Sequence, residues 1–139
     1  MNTRILLVMP PSRRMKLLAI LKQSEMEVAV ADSYREAEEK LRQPLPYDLL
    51  FVDAELPGGS WKALLKSVLE SKRLCEFVVC SRCGDERLWA EVIQCGAYDL
   101  IPEPYERQEV GRIAQNALES QYHRLFTDMR PPSPGVVAS

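Results

Sequence analysis

Tyr47-Asp48-Leu49-Leu50-Phe51-Val52-Asp53-Ala54-Glu55-Leu56-Pro57-Gly58 is the stretch that decides how this chain is read. The apolar run Leu49 to Val52 is too short for a helix and lacks the alternation of a half-exposed strand. It therefore predicts a central strand covered on both faces. An acid, Asp53, follows at once, and the Pro57-Gly58-Gly59 turn then leads into an amphipathic segment. Asp53 is thus expected at the carboxyl end of a buried strand, the edge of an open α/β sheet where ligands bind. Spacing alone leaves two roles open for it, a cap on the loop or a functional acid.

Four similar runs flank this one. RILLV (Arg4 to Val8), MEVAVA (Met26 to Ala31), EFVVCS (Glu76 to Ser81) and the short run Asp99 to Pro102 predict further strands. Helices are expected between them. The first starts at Pro11 or Ser12, with Met15, Leu18 and Leu21 on one face and Leu17 widening it. The second opens on Asp32-Ser33 with Glu36 as a capping box and buries Tyr34, Ala37 and Leu41. The third takes Ser60 as N-cap and turns Leu64, Leu65, Val68 and Leu69 inward. The fourth follows Cys83-Gly84-Asp85, points Leu88, Trp89, Val92 and Ile93 inward, and ends at Gly96 as a left-handed cap. The last runs from about Tyr105 to Phe126, with Val110, Ile113, Ala114, Ala117, Leu118 and Leu125 at helical spacing. At ~1.5 Å per residue it spans roughly 30 Å, more than a five-stranded sheet needs, so its end is a candidate linker or dimer contact. Five β-then-α units with short connections make a single doubly wound (βα)5 flavodoxin-like parallel sheet. The domain is placed at residues 1–126, and 127–139, rich in Pro, Gly and Ser, is read as a disordered tail or linker.

Composition narrows the function. With 139 residues, 46% of them hydrophobic and 27% charged, the chain fits one ordinary globular domain. A net charge of -2 offers no basic face for DNA or RNA and no polybasic membrane contact. Pro10-Pro11 ends the only apolar run near the start before it reaches the length of a signal or membrane segment. A cytoplasmic protein is expected, with Cys75, Cys80, Cys83 and Cys95 as reduced thiols.

The acid-terminated third strand with Pro four residues on, Ser81 at the end of the fourth strand, and the Gly96-Ala97-Tyr98-Asp99 turn carry a resemblance. Over roughly residues 4 to 120 the chain resembles the receiver domain of two-component response regulators. The resemblance implies that Asp53 is the position that accepts a phosphoryl group from a histidine kinase. It also implies that Ser81 touches that group, and that Mg²⁺, held by hard oxygen ligands, neutralises the charge. Here the chain departs from the family. The two acids expected after the first strand read Met9 and Pro10, and the Lys expected before a Pro after the fifth strand is Glu103 before Pro104. An anion there is expected to raise the affinity of a carboxyl for a proton and to oppose a phosphoryl dianion. The aromatic often found on the fifth strand is replaced by Leu100.

The preferred reading is an atypical receiver, not an enzyme. It acts without phosphorylation as a protein-interaction or dimerisation module, and needs no cofactor. Its partner, a histidine kinase, an effector domain or a second copy, is expected on the face formed by residues 86–122. A first alternative keeps Asp53 as phosphoacceptor, with Asp53, Glu55 and Glu103 as a rearranged site for Mg²⁺. A second is a thiol oxidoreductase built on Cys80-Ser81-Arg82-Cys83, opposed by the placement of Cys80 inside a buried run. A zinc site is disfavoured because Cys75 and Cys80 lie at opposite ends of one strand, roughly 16 Å apart at ~3.3 Å per residue. Cys95 is expected in the core. Met9-Pro10-Pro11 makes a poor nucleotide loop, since proline lacks the N–H that cradles phosphate. His123 is read as a solvated side chain.

Overall fold

In the computed structural model, residues 3–71 and 74–128 are described, with the side chains of 123–128 excepted. Residues 129–139 of the expected tail and the side chains of His123, Leu125 and Phe126 lie outside the described residues, whereas 127–128, assigned to the tail, belong to the last helix. The element order is β1 (Arg4–Val8), α1 (Pro11–Lys22), β2 (Glu27–Ala31), α2 (Tyr34–Leu41), β3 (Leu49–Asp53), α3 (Trp61–Glu70), β4 (Glu76–Ser81), α4 (Glu86–Gln94), β5 (Asp99–Pro102) and α5 (Arg107–Asp128). All strand pairs are parallel, in the order β2-β1-β3-β4-β5. β3 is therefore the middle strand, and each of its five residues is buried.

The two faces of the sheet carry separate cores. Ile5, Leu7, Leu49, Phe51, Val78 and Ile101 pack under α1 and α5, against Leu17, Leu21, Val110, Ile113 and Ala117. Leu6, Val8, Leu50, Val52, Phe77 and Val79 pack under α2, α3 and α4, against Ala37, Leu64, Leu65, Val68 and Val92. The period of two along each strand thus sorts uniformly apolar runs into two layers.

The helix starts follow the sequence signals. Ser33 Oγ accepts from the Glu36 N–H, Ser60 Oγ from the Ala63 N–H, and Asp85 Oδ1 from the Arg87 N–H. Each satisfies one of the donors that a helix leaves open at its first turn. Gly96 closes α4 at φ +101°, in the left-handed region. Gly59 has a different reason. A Cβ there would stand 2.6 Å from the Tyr34 ring, so the β3–α3 loop and the start of α2 close on each other only without a side chain. The Tyr34 N–H donates to Pro57 O at 3.1 Å across the same junction.

Several inward assignments are corrected. Met15 is 80% exposed, because Leu17 and Leu21 face the sheet and Met15 points to the opposite side of α1. Leu69 and Trp89 are half-exposed, Trp89 beside Asp99, and Ile93 is 38% exposed. Apolar spacing on α3 and α4 is wider than the strip the sheet covers. Cys95 is exposed rather than in the core, since it follows the last turn of α4. Tyr105 precedes α5 instead of starting it and is buried against the α1/α5 layer.

Candidate functional site

The carboxyl ends of β1, β3, β4 and β5 meet at one edge of the sheet, and the register places Asp53 beside Cys80. Met9 and Pro10 leave β1 there, Asp53 ends β3, Ser81 ends β4, and Glu103 follows β5. The sequence-predicted site residues are thus brought to one edge.

Asp53 is fully buried. Its Oδ1 accepts from the Glu55 backbone N–H at 2.9 Å and from Arg13 Nη1 at 2.9 Å. Arg13 is the residue the sequence reading missed. Its Nη1 also donates to Glu55 Oε2 at 3.1 Å, and its Nη2 stands 3.8 Å from Glu103 Oε1. One guanidinium, with its side chain only 10% exposed, therefore lies among all three carboxylates. Arg82 adds a second cation, 3.7 Å from Glu55. Its place in the first turn after β1 puts it at this edge, but its acid partners lie 40 and more positions away in the sequence.

Several polar atoms at this centre are buried without a hydrogen-bond partner: Asp53 Oδ2, Arg13 Nε and Nη2, and the Tyr105 hydroxyl. Burial pushes the Asp53 carboxyl above its ordinary value. The Glu55 N–H, Arg13 and Arg82 pull it down, and the charge of Glu55 pushes it up. The expected direction of shift is therefore found, with a different cause: desolvation leads, rather than the charge of Glu103. Burial likewise pushes the Tyr105 hydroxyl well above its ordinary value, helped by the charges of Glu103 and Asp53.

Ser81 is buried at the end of β4, where its Oγ accepts from the Cys83 N–H at 3.2 Å. Glu103 joins the edge through its own N–H, which donates to Ser81 O at 2.9 Å, and its bond to Pro104 is cis. The CxxC pair is split: Cys80 is buried in β4 and Cys83 is exposed on the loop. Burial, then the Asp53 charge, drives the Cys80 thiol well up, the opposite of what a nucleophilic thiol needs.

A divalent cation at this edge needs a first shell of hard oxygens. Met9 instead lies wholly in the apolar core, Pro10 has no side-chain oxygen, and Arg13 fills the space between the acids. Among the described residues, no group of three or more His, Cys, Asp or Glu is placed to hold a metal ion. As arranged, the residues do not fit Mg²⁺. Nor is any helix among the described residues long and apolar enough to cross a membrane.

Comparison with known proteins agrees with this architecture. Residues 10–115 match the response regulator receiver domain family. The chain is 30% identical to the chemotaxis protein CheY of Thermotoga maritima over 112 residues, covering 79% of this chain and 92% of that one. It is also 30% identical over 98 residues to the chemotaxis protein CheY of Bacillus subtilis, covering 70% and 81% respectively. Among solved structures, NtrX from Brucella abortus superposes with a TM-score of 0.83 at 26% identity, over 98% of this chain and 32% of that one. The receiver domain of a LuxO repressor protein from Vibrio parahaemolyticus shares the fold, with a TM-score of 0.79 at 19% identity, over 91% and 98%. An acid closing the middle strand of a β2-β1-β3-β4-β5 sheet, and a match over most of the length, have one reading: this chain belongs to the response regulator receiver domain family of two-component signalling.

Proposed function

We propose that this receiver works without phosphorylation, as a protein-interaction module whose Asp53 is a structural ion-pair partner rather than a phosphoacceptor. The observation that carries the reading is the Arg13–Asp53 pair: the carboxylate is fully buried and its Oδ1 already accepts two hydrogen bonds. To attack a phosphorus atom, the carboxylate must be open to the donor, and the cation that neutralises the incoming oxygens must be bound. Met9, Pro10 and Glu103 supply neither the acids nor the lysine of that chemistry. No metal cofactor is required for this role.

Receiver domains act through protein partners, and the surface we assign to that role is formed by α4, β5 and α5. Trp89 and Ile93 stand one turn apart on α4, 50% and 38% exposed. Trp89 Nε1 donates to Asp99 Oδ1 at 3.2 Å, which ties the half-exposed indole to the start of β5. A held aromatic of this kind loses little freedom on binding and is the commonest type of interface anchor. The test is a pair of chromosomal substitutions read by the host's signalling output. Asp53→Asn is expected to leave the output intact, and Trp89→Glu to abolish it without unfolding the domain. Loss of output in Asp53→Asn together with normal output in Trp89→Glu would reverse the assignment.

A further inference from the structure

The edge of the sheet opposite Asp53, where β3 and β4 begin, carries a hole and a projection side by side. The hole is a cavity of about 160 Å³ between the ends of α2 and α3. Leu41, Tyr47, Val68 and Cys75 line it, with Glu38 and Arg42 at the rim. The projection is Leu45, 63% exposed on the loop that joins Arg42 to Tyr47, both of them cavity residues. Pro44 and Pro46 flank Leu45 and fix φ on either side of it. Arg4 holds the same loop: its Nη1 donates to Pro46 O at 3.1 Å, and its guanidinium lies 4.5 Å from the centre of the Tyr47 ring. A single exposed leucine is ordinary, but one on a stiffened loop has little freedom left to lose in an interface. Arg42 is 73% exposed and reaches Glu38 only at 4.0 Å, so that ion pair is weak and open to a second partner.

We propose that a second copy of this chain docks on this edge about a two-fold axis, with Leu45 of each copy in the cavity of the other and Arg42 of each against Glu38 of the other. A two-fold contact joins a patch to the same patch, so it needs projection, hole and both signs of charge within one small area. Leu45, the cavity and the Glu38–Arg42 pair meet that need. A cavity of about 150 Å³ takes a benzene-sized group, so a leucine side chain fits one of about 160 Å³. A foreign protein would have to bring a matching apolar knob and both matching charges, whereas a second copy already carries them. None of these residues belongs to the Asp53 site or to α4, β5 and α5. Pairing here is therefore independent of the role of Asp53, and it presents two copies of the partner surface at once, raising the effective concentration for a two-site partner.

Sedimentation equilibrium of the full chain, from about 1 µM to about 1 mM, measures the association. The wild type is expected to pass from one chain to two within this range, as befits a small interface. Leu45→Asp, which carries a charge into the cavity, should raise Kd at least about tenfold. Glu38→Arg and Arg42→Glu, each alone, set like charges across the axis and should weaken association by a similar factor. An equimolar mixture of these two should recover it, because opposite charges then meet only between one variant and the other. Leu45 and Arg42 are exposed and Glu38 partly so, and the far-ultraviolet circular dichroism of every variant should match that of the wild type. Trp89→Glu, on the other surface, should dimerise like the wild type. A wild type that stays a single chain throughout, a dimer that Leu45→Asp leaves intact, or a mixture that associates no better than its components would each overturn the proposal. Loss of the dimer in Trp89→Glu but not in Leu45→Asp would overturn it too, and would place the contact on α4.

Discussion

Replacing Arg13 by methionine keeps most of the aliphatic volume under the site and removes the charge. Asp53, fully buried, then loses the 2.9 Å donor on Oδ1 and keeps only the Glu55 N–H. Removing one partner of a buried pair costs about 3–5 kcal/mol. Two features reduce that here. Arg13 is 10% exposed, so solvent screens part of the loss, and the Asp53 carboxyl already sits above its ordinary value and takes a proton more readily than most. A loss of about 2–3 kcal/mol at pH 7 follows, or a fall in Tm of roughly 6–12 °C for a domain of this size. At acid pH, where Asp53 is protonated in both proteins, the loss should shrink. Asp53→Asn in the Arg13→Met background should recover at least ~1 kcal/mol of coupling, because a neutral amide leaves no stranded charge. Urea denaturation of the four proteins of this cycle, followed by far-ultraviolet circular dichroism over a pH series falling from 7, measures these quantities. A coupling near zero at pH 7, or a loss that does not change with pH, would refute the claim that Arg13 is the working counter-ion of Asp53.

The raised carboxyl of Asp53 also fixes a sign. Between the ordinary value of 3.8 and the higher native value, the folded state holds more protons than the unfolded state, so this group's contribution to stability falls as pH rises through the native value. The stability difference between wild type and Asp53→Asn should therefore move in favour of the asparagine variant as pH rises across that window; movement the other way would mean that Arg13 outweighs burial. Gly59→Ala should cost about 1–3 kcal/mol, since the new methyl lands 2.6 Å from the Tyr34 ring, and an unchanged urea midpoint would show that the ring yields freely. Under native conditions Cys83 and Cys95 should react with a maleimide at ordinary rates, and Cys75 and Cys80 only on unfolding, as read by mass spectrometry of timed samples. Fast labelling of Cys80 would contradict its burial in β4.

The fold was legible because its signals are local. Apolar runs of four to six residues, three polar N-caps and the Gly96 stop are each read within one element, and strands covered on both faces leave few other arrangements. Sidedness was less legible on the helices. Met15, Leu69 and Ile93 carry the right hydropathy for a core, but which of two adjacent apolar columns meets the sheet depends on how the helix rolls against it, a tertiary fact. At the site, Asp53, Ser81 and Glu103 could be placed because each ends or follows a strand. Arg13 could not, since its partners lie 40 and more positions away and its neighbours suggest an ordinary exposed first turn. That Met9, Pro10 and Glu103 stand where the family carries its acids and its lysine followed from the resemblance. That a guanidinium stands between the remaining acids became visible only once the strand ends were brought side by side.

The central claim, that Asp53 is an ion-pair partner and not a phosphoacceptor, meets its most direct test in intact-mass analysis after incubation with acetyl phosphate. The samples are the wild type and Asp53→Asn, each with and without Mg²⁺. The account predicts no added phosphoryl group on either protein under any of these conditions. One phosphoryl group on the wild type, dependent on Mg²⁺ and absent from Asp53→Asn, would show that Arg13 yields its place and that the domain is a working phosphorelay switch.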